Sequence, residues 1–343
     1  MHGAILPKPV IPMTEQETML DAVADDLALL EAQLNRVIVG QQQLIRELLI
    51  AVFAGGHVLL EGLPGLGKTH LARALAASVE LQFGRVQCTP DLLPADITGS
   101  EILLGGGQAA SEVEFRPGPV FANLVLIDEV NRATPRTQAA LLEAMQEGQV
   151  TFGGQSHALP DPFCVLATQN PIELEGTFPL PEAQLDRFTF KLFVPYPAAG
   201  SMKELLDTSL DQEPADHLDP ICPLARAREL IAAGRQVIAA EAVREGAIKL
   251  VLATQPDSAF GSATAREHIR YGASPRALQS LIRAGRIRAL FEGRVHVAFE
   301  DLAALAQPVL RHRVLLHTTS ELEGHTANSV LEQIVAEWTA AYL

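Results

Sequence analysis

Residues 57–73 of the chain read HVLLEGLPGLGKTHLAR, and this stretch decides the fold. Residues 58–60 form a short apolar run that is typical of a buried strand, and a helical pattern over 68–77 follows a glycine-rich turn. The turn itself, residues 62–69, matches the phosphate-loop pattern G-x-x-x-x-G-K-[ST]. A chance glycine-rich turn is the alternative, but a strand before the loop and a helix after it favour a nucleotide-binding site.

The residue types of this loop suit a triphosphate. Glycines let backbone N–H groups curl around an anion without Cβ clashes, and the N-terminus of the following helix adds positive potential. Lys68 is expected to reach the β- and γ-phosphates, and Thr69 to offer its hydroxyl to Mg²⁺. The loop residues that we assign to the nucleotide are Gly62, Pro64, Gly65, Leu66, Gly67, Lys68, Thr69 and His70.

A second anchor follows the apolar run at residues 124–127, which ends in Asp128 and Glu129. An apolar run followed by two acids is by itself a weak indication of a nucleotide site. Its position after a phosphate loop strengthens that indication, because parallel strands deliver their carboxyl ends to one crevice. We expect Asp128 to hold the Mg²⁺ shell together with Thr69. We expect Glu129 to polarise a water for attack on the γ-phosphate.

Three further residues are candidates for contacts to phosphate. Asn170 follows an apolar strand at residues 163–168, where it can bond the attacking water or simply start an Asn-Pro turn. Arg187 is either a surface ion-pair partner or a finger that reaches a neighbouring subunit's γ-phosphate. Arg276 stands at a helix start, where a cation opposes the helix dipole unless an anion offsets it, which argues modestly for a phosphate.

An apolar turn upstream of the loop contains Val39 and Gly40. It is either ordinary core or a cradle for the adenine base, and both interpretations stay open.

Bulk properties restrict the possible partners. The 343 residues include 26 Lys and Arg against 41 Asp and Glu, a net charge of −15, which disfavours bulk nucleic acid or an anionic membrane as the partner. Three cysteines without C-x-x-C spacing fit a reducing cytosol. The N-terminus lacks the pattern of a signal peptide and the apolar run at residues 48–60 is too short to span a bilayer, so we expect a soluble cytoplasmic protein.

His312, His317 and His325 share no helical face with acidic support, which disfavours a metal site there.

The chain divides into three parts by pattern. Residues 1–36 read as an extended arm and one amphipathic helix, and 37–197 as an α/β core. Glycine-rich turns predict hairpins near 100–118 and 149–160, the first with a mobile tip at residues 105–107. After residue 197 strand signals thin out and helical ones dominate, so 198–343 is predicted to be a helical domain.

Taken together, these motifs resemble the MoxR family of AAA+ ATPases. The residues that carry the resemblance are GLPGLGKT, LVLIDEVNRATPRTQAALLEAMQEGQVTFGG, ATQNPIELEGTFPLPEAQLDRF and GASPRA, in this order. It covers nearly all of residues 35–310. It implies an α/β fold, an αβα phosphate-loop core with a parallel five-stranded sheet of order 5-1-4-3-2, followed by an all-α lid.

The resemblance also implies roles for single residues. Lys68 and Thr69 belong to Walker A, and Asp128 and Glu129 to Walker B. Asn170 becomes the first sensor, Arg187 the arginine finger and Arg276 the second sensor.

The implied activity is Mg²⁺-dependent hydrolysis of ATP. The implied assembly is a homo-oligomeric ring, commonly of six, with ATP between subunits and the two hairpins on its pore or face. The implied partner is a protein with a von Willebrand factor A domain, which the ATPase helps to mature. Three alternatives remain: a motor subunit like that of magnesium chelatase, a DNA translocase or helicase, and an assembly scaffold with little turnover.

Overall fold

Short strands that are apolar on both sides form the centre of the fold. The computed structural model describes residues 15–104, 112–172, 176–207 and 218–342. The predicted arm at residues 1–13 and the predicted hairpin tip at 105–107 lie outside these ranges. The strands are β1 (Val58–Glu61), β2 (Phe83–Gln87), β3 (Gly99–Leu104), β4 (Glu112–Pro117), β5 (Leu124–Asp128), β6 (Gln149–Phe152), β7 (Gln155–Ala158), β8 (Cys164–Gln169), β9 (Phe190–Phe193), β10 (Ile269–Tyr271) and β11 (Leu315–Leu316).

Helices flank the sheet and make up most of the C-terminal part. They are α1 (Glu15–Val37), α2 (Gln42–Phe53), α3 (Lys68–Ser78), α4 (Pro94–Thr98), α5 (Pro135–Glu147), α6 (Glu182–Leu185), α7 (Ala199–Asp207), α8 (Leu224–Gln236), α9 (Glu241–Ala253), α10 (Ala263–His268), α11 (Pro275–Phe291), α12 (Phe299–Leu310), α13 (Thr318–Leu322) and α14 (Ala327–Tyr342). Within the described ranges, no helix is both long and apolar enough to cross a membrane.

The main sheet has the order β2-β5-β8-β1-β9, and all of its pairings are parallel. When its strands are counted from the N-terminus, this order is 5-1-4-3-2, so the predicted topology is confirmed. The parallel arrangement places the carboxyl ends of β1, β5 and β8 at one edge, next to one another.

The sheet separates two apolar cores because successive side chains of a strand point to opposite faces. In β5, Leu124 and Leu126 face one core, while Val125 and Ile127 face the other. The first core continues without interruption into the C-terminal helices, where Leu281 and Leu302 belong to the same cluster. The proposed boundary near residue 197 therefore separates parts of the chain that share one apolar cluster.

Both predicted hairpins are present in the described residues. β3 pairs with β4, and β6 pairs with β7 around Gly153 and Gly154, both with positive φ. Phe115 of the first hairpin stacks on His157 of the second, with ring centroids 4.1 Å apart, so the two hairpins pack against each other. In residues 218–342 the chain is mainly helical, with the short antiparallel pair of β10 and β11 and one isolated bridge between Ile238 and His296.

Candidate active site

The carboxyl ends of β1, β5 and β8 bring the predicted phosphate loop, the paired acids and Asn170 to one cleft. Its volume is about 550 Å³. The residues that line it are Pro64, Gly65, Gly67, Lys68, Thr69, His70, Arg73, Arg85, Asp128, Glu129 and Asn170. Most of the predicted site residues thus meet in one place, while Gly62 and Leu66 lie in the loop behind this lining.

The loop has the backbone shape that a bound phosphate needs. Gly65 and Gly67 have φ of +79° and +78°, and a Cβ added at either would meet nothing within 4 Å. The space beside them is therefore open to a ligand, and the first turn of α3 directs its N–H groups toward it. The Lys68 ammonium donates to the Gly62 and Leu63 carbonyls at 2.6 and 3.3 Å, which holds it across the loop.

Asp128 lies between two threonine hydroxyls. Thr168 Oγ1 donates to its Oδ1 at 2.7 Å, and Thr69 Oγ1 donates to its Oδ2 at 3.4 Å. Neighbouring oxygens in an octahedral Mg²⁺ shell lie about 3.0 Å apart, so Thr69 and Asp128 need only a small adjustment to share an ion. Their hard oxygens are the ligands that Mg²⁺ prefers, and these residues fit that ion.

Glu129 is fixed from three sides. Its backbone has φ of +56°, rare for a residue with a side chain, and its N–H donates to Thr168 Oγ1 at 2.8 Å. Gln87 and Arg132 donate to its Oε2 at 3.0 and 2.9 Å. The strained backbone turns the carboxylate into the cleft, and the two donors set its direction. A carboxylate in this position can accept a proton from a water.

Sequence reasoning missed Arg85 and Gln87, which alternate with Val86 on β2. Arg85 Nη2 donates to Asp128 Oδ2 at 3.0 Å and to Gln87 Oε1 at 3.1 Å. Two polar residues at the carboxyl end of a strand, spaced to share one face, were the available signal. Cys88 follows them, but burial beside Asp128 raises the pKa of its thiol to about 12, so it stays protonated and is no nucleophile at neutral pH.

Asn170 is almost fully buried at the end of β8, yet it lines the cleft. Its Oδ1 accepts from the Ile172 N–H at 3.3 Å, which is the turn contact expected of an Asn-Pro sequence. Its Nδ2 has no hydrogen-bond partner among the residues that the structure describes. A buried donor without a partner costs stability, and a phosphate oxygen or a water in the cleft would satisfy it.

The apolar turn at Val39 and Gly40 approaches the loop from the other side. Gly40 has φ of +76° and packs so closely against Ser201 of α7 that a Cβ would collide with it. Gln41 donates from Nε2 to the Leu66 carbonyl at 3.4 Å, so the turn is tied to the phosphate loop. This position is compatible with an adenine contact, which stays a prediction.

Arg187 and Arg276 lie elsewhere. They line a second cleft of about 320 Å³, together with Arg283, Asp186 and Arg313 among others, and neither lines the phosphate-loop cleft. Arg187 Nη1 donates to the Leu142 carbonyl at 2.9 Å, while its buried Nε has no partner within the described ranges. The structure therefore separates the two predicted arginines from the other site residues of the same chain.

Asp186 supplies the anion that the Arg276 position requires. Arg276 Nη1 lies 3.3 Å from Asp186 Oδ2, so the helix-dipole argument for a phosphate at Arg276 loses its force. Arg187 was considered as a surface ion-pair partner of its neighbour Asp186. Asp186 instead pairs with Arg276 and Arg313.

Among the described residues, the three C-terminal histidines are not grouped as metal ligands. His312 is buried, its Nε2 bonds the Phe188 carbonyl at 2.8 Å, and burial lowers its pKa well below the usual value. Across residues 15–104, 112–172, 176–207 and 218–342, no group of three or more His, Cys, Asp and Glu could hold a metal.

Comparisons with known proteins show which family the chain resembles. The family model "ATPase family associated with various cellular activities (AAA)" matches residues 57–190, and the model "AAA lid domain" matches 262–334. The chain is 42% identical over 285 residues to Chaperone MoxR1 of Mycobacterium tuberculosis, covering 83% of this chain and 74% of that protein. It is 36% identical to Protein MoxR of Paracoccus denitrificans, covering 85% of this chain and 89% of that protein.

A solved structure shows the same architecture. A candidate ATPase of Cytophaga hutchinsonii, known from its crystal structure, superposes with a TM-score of 0.84 at 38% identity, covering 93% of this chain and 96% of that one. With the phosphate loop, the paired acids and the lid all in place, the chain belongs to the MoxR family of AAA+ ATPases.

Proposed function

We propose that this ATPase works as a homo-oligomeric ring, with six subunits as the expected number, and hydrolyses Mg²⁺-bound ATP between neighbouring subunits. The observation that carries the proposal is the separation of the two clefts. One holds the phosphate loop and the acids, and the other holds Arg187 and Arg276. A chain that has both halves of a site, but not together, completes the site by contact with a second copy.

The roles of the residues follow from their contacts. Lys68 and the loop N–H groups hold the β- and γ-phosphates, while Glu129 takes a proton from the attacking water. Asn170 orients that water through its amide. Mg²⁺, held by Thr69 and Asp128, supplies charge neutralisation on the phosphate oxygens when it is bound. Arg187, with Arg276 beside it, stabilises the charge that develops on the neighbour's γ-phosphate.

The ring is proposed to act on another protein. A relative named as a chaperone supports a role in remodelling or maturation in the cytoplasm, and the family resemblance points to a partner with a von Willebrand factor A domain. Three buried free cysteines suit a reducing compartment. Incubating Glu129→Gln with ATP would hold the ring in its bound form, and a partner of this class should be retained on it. Retention that is equal without ATP would count against the proposed partner.

The alternative functions predict different observations. A translocase needs basic hairpins, but residues 149–160 contain no Lys or Arg, and the net charge is −15. A motor like that of magnesium chelatase requires a porphyrin-metallating partner for its activity. A scaffold would assemble with ATP and turn it over negligibly.

Mixed rings test the proposal directly. Arg187→Ala subunits keep a complete phosphate cleft but lack the finger, and Glu129→Gln subunits keep the finger but lack the base. Each variant alone should be nearly inactive. In a mixture, an Arg187→Ala site beside a Glu129→Gln neighbour is complete, so activity should rise well above the sum of the two. A mixture that stays at that sum, although it assembles, would contradict the shared site.

A further inference from the structure

Arg85 occupies a position that neither the phosphate-loop motif nor the paired acids assign. It lies on β2, its side chain is 42% exposed, and it reaches into the phosphate-loop cleft. Its Nη2 donates to Asp128 Oδ2 at 3.0 Å. The same nitrogen donates to Gln87 Oε1 at 3.1 Å, and this second contact keeps the guanidinium directed at Asp128.

The oxygen that Arg85 contacts is the one that faces Thr69. Asp128 Oδ1 is already engaged by the Thr168 hydroxyl at 2.7 Å, which leaves Oδ2 as the oxygen that can share a cation with Thr69. A Mg²⁺ ion binds its oxygen ligands at about 2.1 Å. A guanidinium held on that same oxygen would repel the ion strongly at such short range. The two cations are therefore alternative partners of Asp128 Oδ2.

The charges around the acids lead to the same conclusion. Asp128 and Glu129 carry two negative charges, and Arg85 and Arg132 carry two positive ones in contact with them. Arg132 pairs with Glu129, which does not have to give up an oxygen to the metal. Arg85 is thus the cation that has to leave before Asp128 can accept another.

We propose that Arg85 is a positioning residue that competes with Mg²⁺ for Asp128 and thereby sets the magnesium concentration at which nucleotide is bound. This inference rests on the proposed function, because it needs the ion to bind at Thr69 and Asp128. When the Arg85 guanidinium leaves Asp128, it keeps its contact with Gln87 at the edge of the cleft. There the oxygens of the bound phosphates supply the negative charge that Asp128 no longer provides.

The test is a magnesium titration of nucleotide binding. A fluorescent, non-hydrolysable ATP analogue is bound to the full chain while MgCl2 is varied, for the wild type and for Arg85→Gln. In Arg85→Gln the ion has no competing guanidinium, so the magnesium concentration at half-maximal binding of the analogue should fall about threefold. A threefold change corresponds to about 0.7 kcal/mol, at 1.4 kcal/mol per tenfold. Arg85→Lys keeps the charge without the fork, and its midpoint should lie between the two.

Melting temperatures separate competition from a structural role. In EDTA, Arg85→Gln should melt about 1 °C below the wild type, because Asp128 and Glu129 then repel each other with less compensation. With magnesium and the analogue the difference should disappear. The control is Arg244→Gln, which breaks an arginine–carboxylate pair of 2.8 Å on the exposed surface of α9 and should shift neither quantity.

The possible outcomes are distinct. An unchanged or raised midpoint for Arg85→Gln would overturn the competition, and so would an equal fall in melting temperature in both buffers. A wild type whose nucleotide affinity does not depend on magnesium would instead refute the proposed metal site, whatever Arg85 does.

Discussion

Glu129 is the residue whose surroundings say most about its chemistry. Its backbone lies in the left-handed region, and Gln87 and Arg132 both donate to the same carboxylate oxygen. An amide at this position keeps one oxygen for those donors but cannot take a proton from water. Under the proposed function, the carboxylate and not merely a polar side chain is therefore what hydrolysis requires.

Glu129→Gln should bind ATP within about twofold of the wild type and turn it over at least about 100-fold more slowly, because general-base catalysis contributes that much or more. Steady-state phosphate release and equilibrium nucleotide binding measure the two quantities. Lys68→Ala is the counterpart, since it should lose the binding itself. Full turnover by Glu129→Gln would remove this residue from the catalytic step.

His57 gives a prediction for the pH dependence of stability. Its Nδ1 accepts from the Val165 N–H at 3.1 Å, its Nε2 donates to the Met145 carbonyl at 3.0 Å, and burial lowers its pKa from 6.5 to about 4. Between these two pKa values the unfolded chain binds a proton that the folded chain does not. Stability is therefore lost as the pH falls, and His57 contributes about 1.4 kcal/mol of that loss by pH 5.5.

His57→Gln should reduce this loss, because the amide of Gln can accept and donate but does not titrate. Urea unfolding at pH 8 and pH 5.5 measures the drop in unfolding free energy for each protein. The drop should be about 1.4 kcal/mol smaller for the variant. Equal drops would mean that His57 is charged in the folded protein.

Some single residues of the site were predictable from sequence and others were not. Lys68, Thr69 and Asp128 follow from local patterns, because a loop motif or a strand end fixes their position within a few residues. Arg85 and Gln87 depend on β2 pairing with β5, where Gln87 lies opposite Asp128. That contact joins residues about 40 positions apart, and no local pattern encodes it.

The elements show the same division between local and tertiary causes. The strands β1, β5 and β8 and the helix α3 lie where their sequence patterns predict them, within a few residues. The short helices α4, α7, α10 and α13 were not predicted. Helices of one or two turns are marginal by propensity, so tertiary packing decides them.

Arg313 joins the end of α12 to the core and was invisible to sequence reasoning. Its guanidinium is 2% exposed and lies 2.9 Å from Asp186 Oδ1. It also donates to backbone carbonyls on both sides of the junction, at Asp186, Phe188, Thr189 and Val309. Burial lowers its pKa to about 10, so it stays charged at neutral pH.

Arg313→Met should destabilise the protein by about 3 kcal/mol, because it leaves Asp186 and several carbonyls without their donor in a buried place. Chemical unfolding measures the loss. Arg313→Lys should recover little of it, since one ammonium cannot reach acceptors arranged around a planar fork. Arg244→Met, on the exposed surface of α9, is the control and should cost less than about 0.5 kcal/mol. A loss that small at Arg313 would show that the junction does not depend on it.

At the scale of the whole molecule, the two clefts are the main result. The cleft with Lys68 and Glu129 lies at the carboxyl edge of the sheet, and the cleft with Arg187 lies between the core and α11. Sequence motifs identify Lys68 and Glu129 in the first cleft and Arg187 in the second, but they contain no information on how the fold places these residues relative to one another. That separation is a property of the folded chain, and the proposed site shared between subunits rests on it.

The dependence of activity on protein concentration follows from this separation. Under the proposed shared site, a subunit hydrolyses ATP only beside a neighbour, so the rate per subunit should rise with protein concentration and level off once assembly is complete. An arginine finger contributes about 10³-fold or more to turnover, so the rise should be large. Sedimentation at the same concentrations, with ATP present, should show assembly rising in parallel. For Arg187→Ala, assembly should rise in the same way while the rate stays low at every concentration. A wild-type rate that is high and constant while the chain sediments as a monomer would mean that one copy carries out the reaction alone.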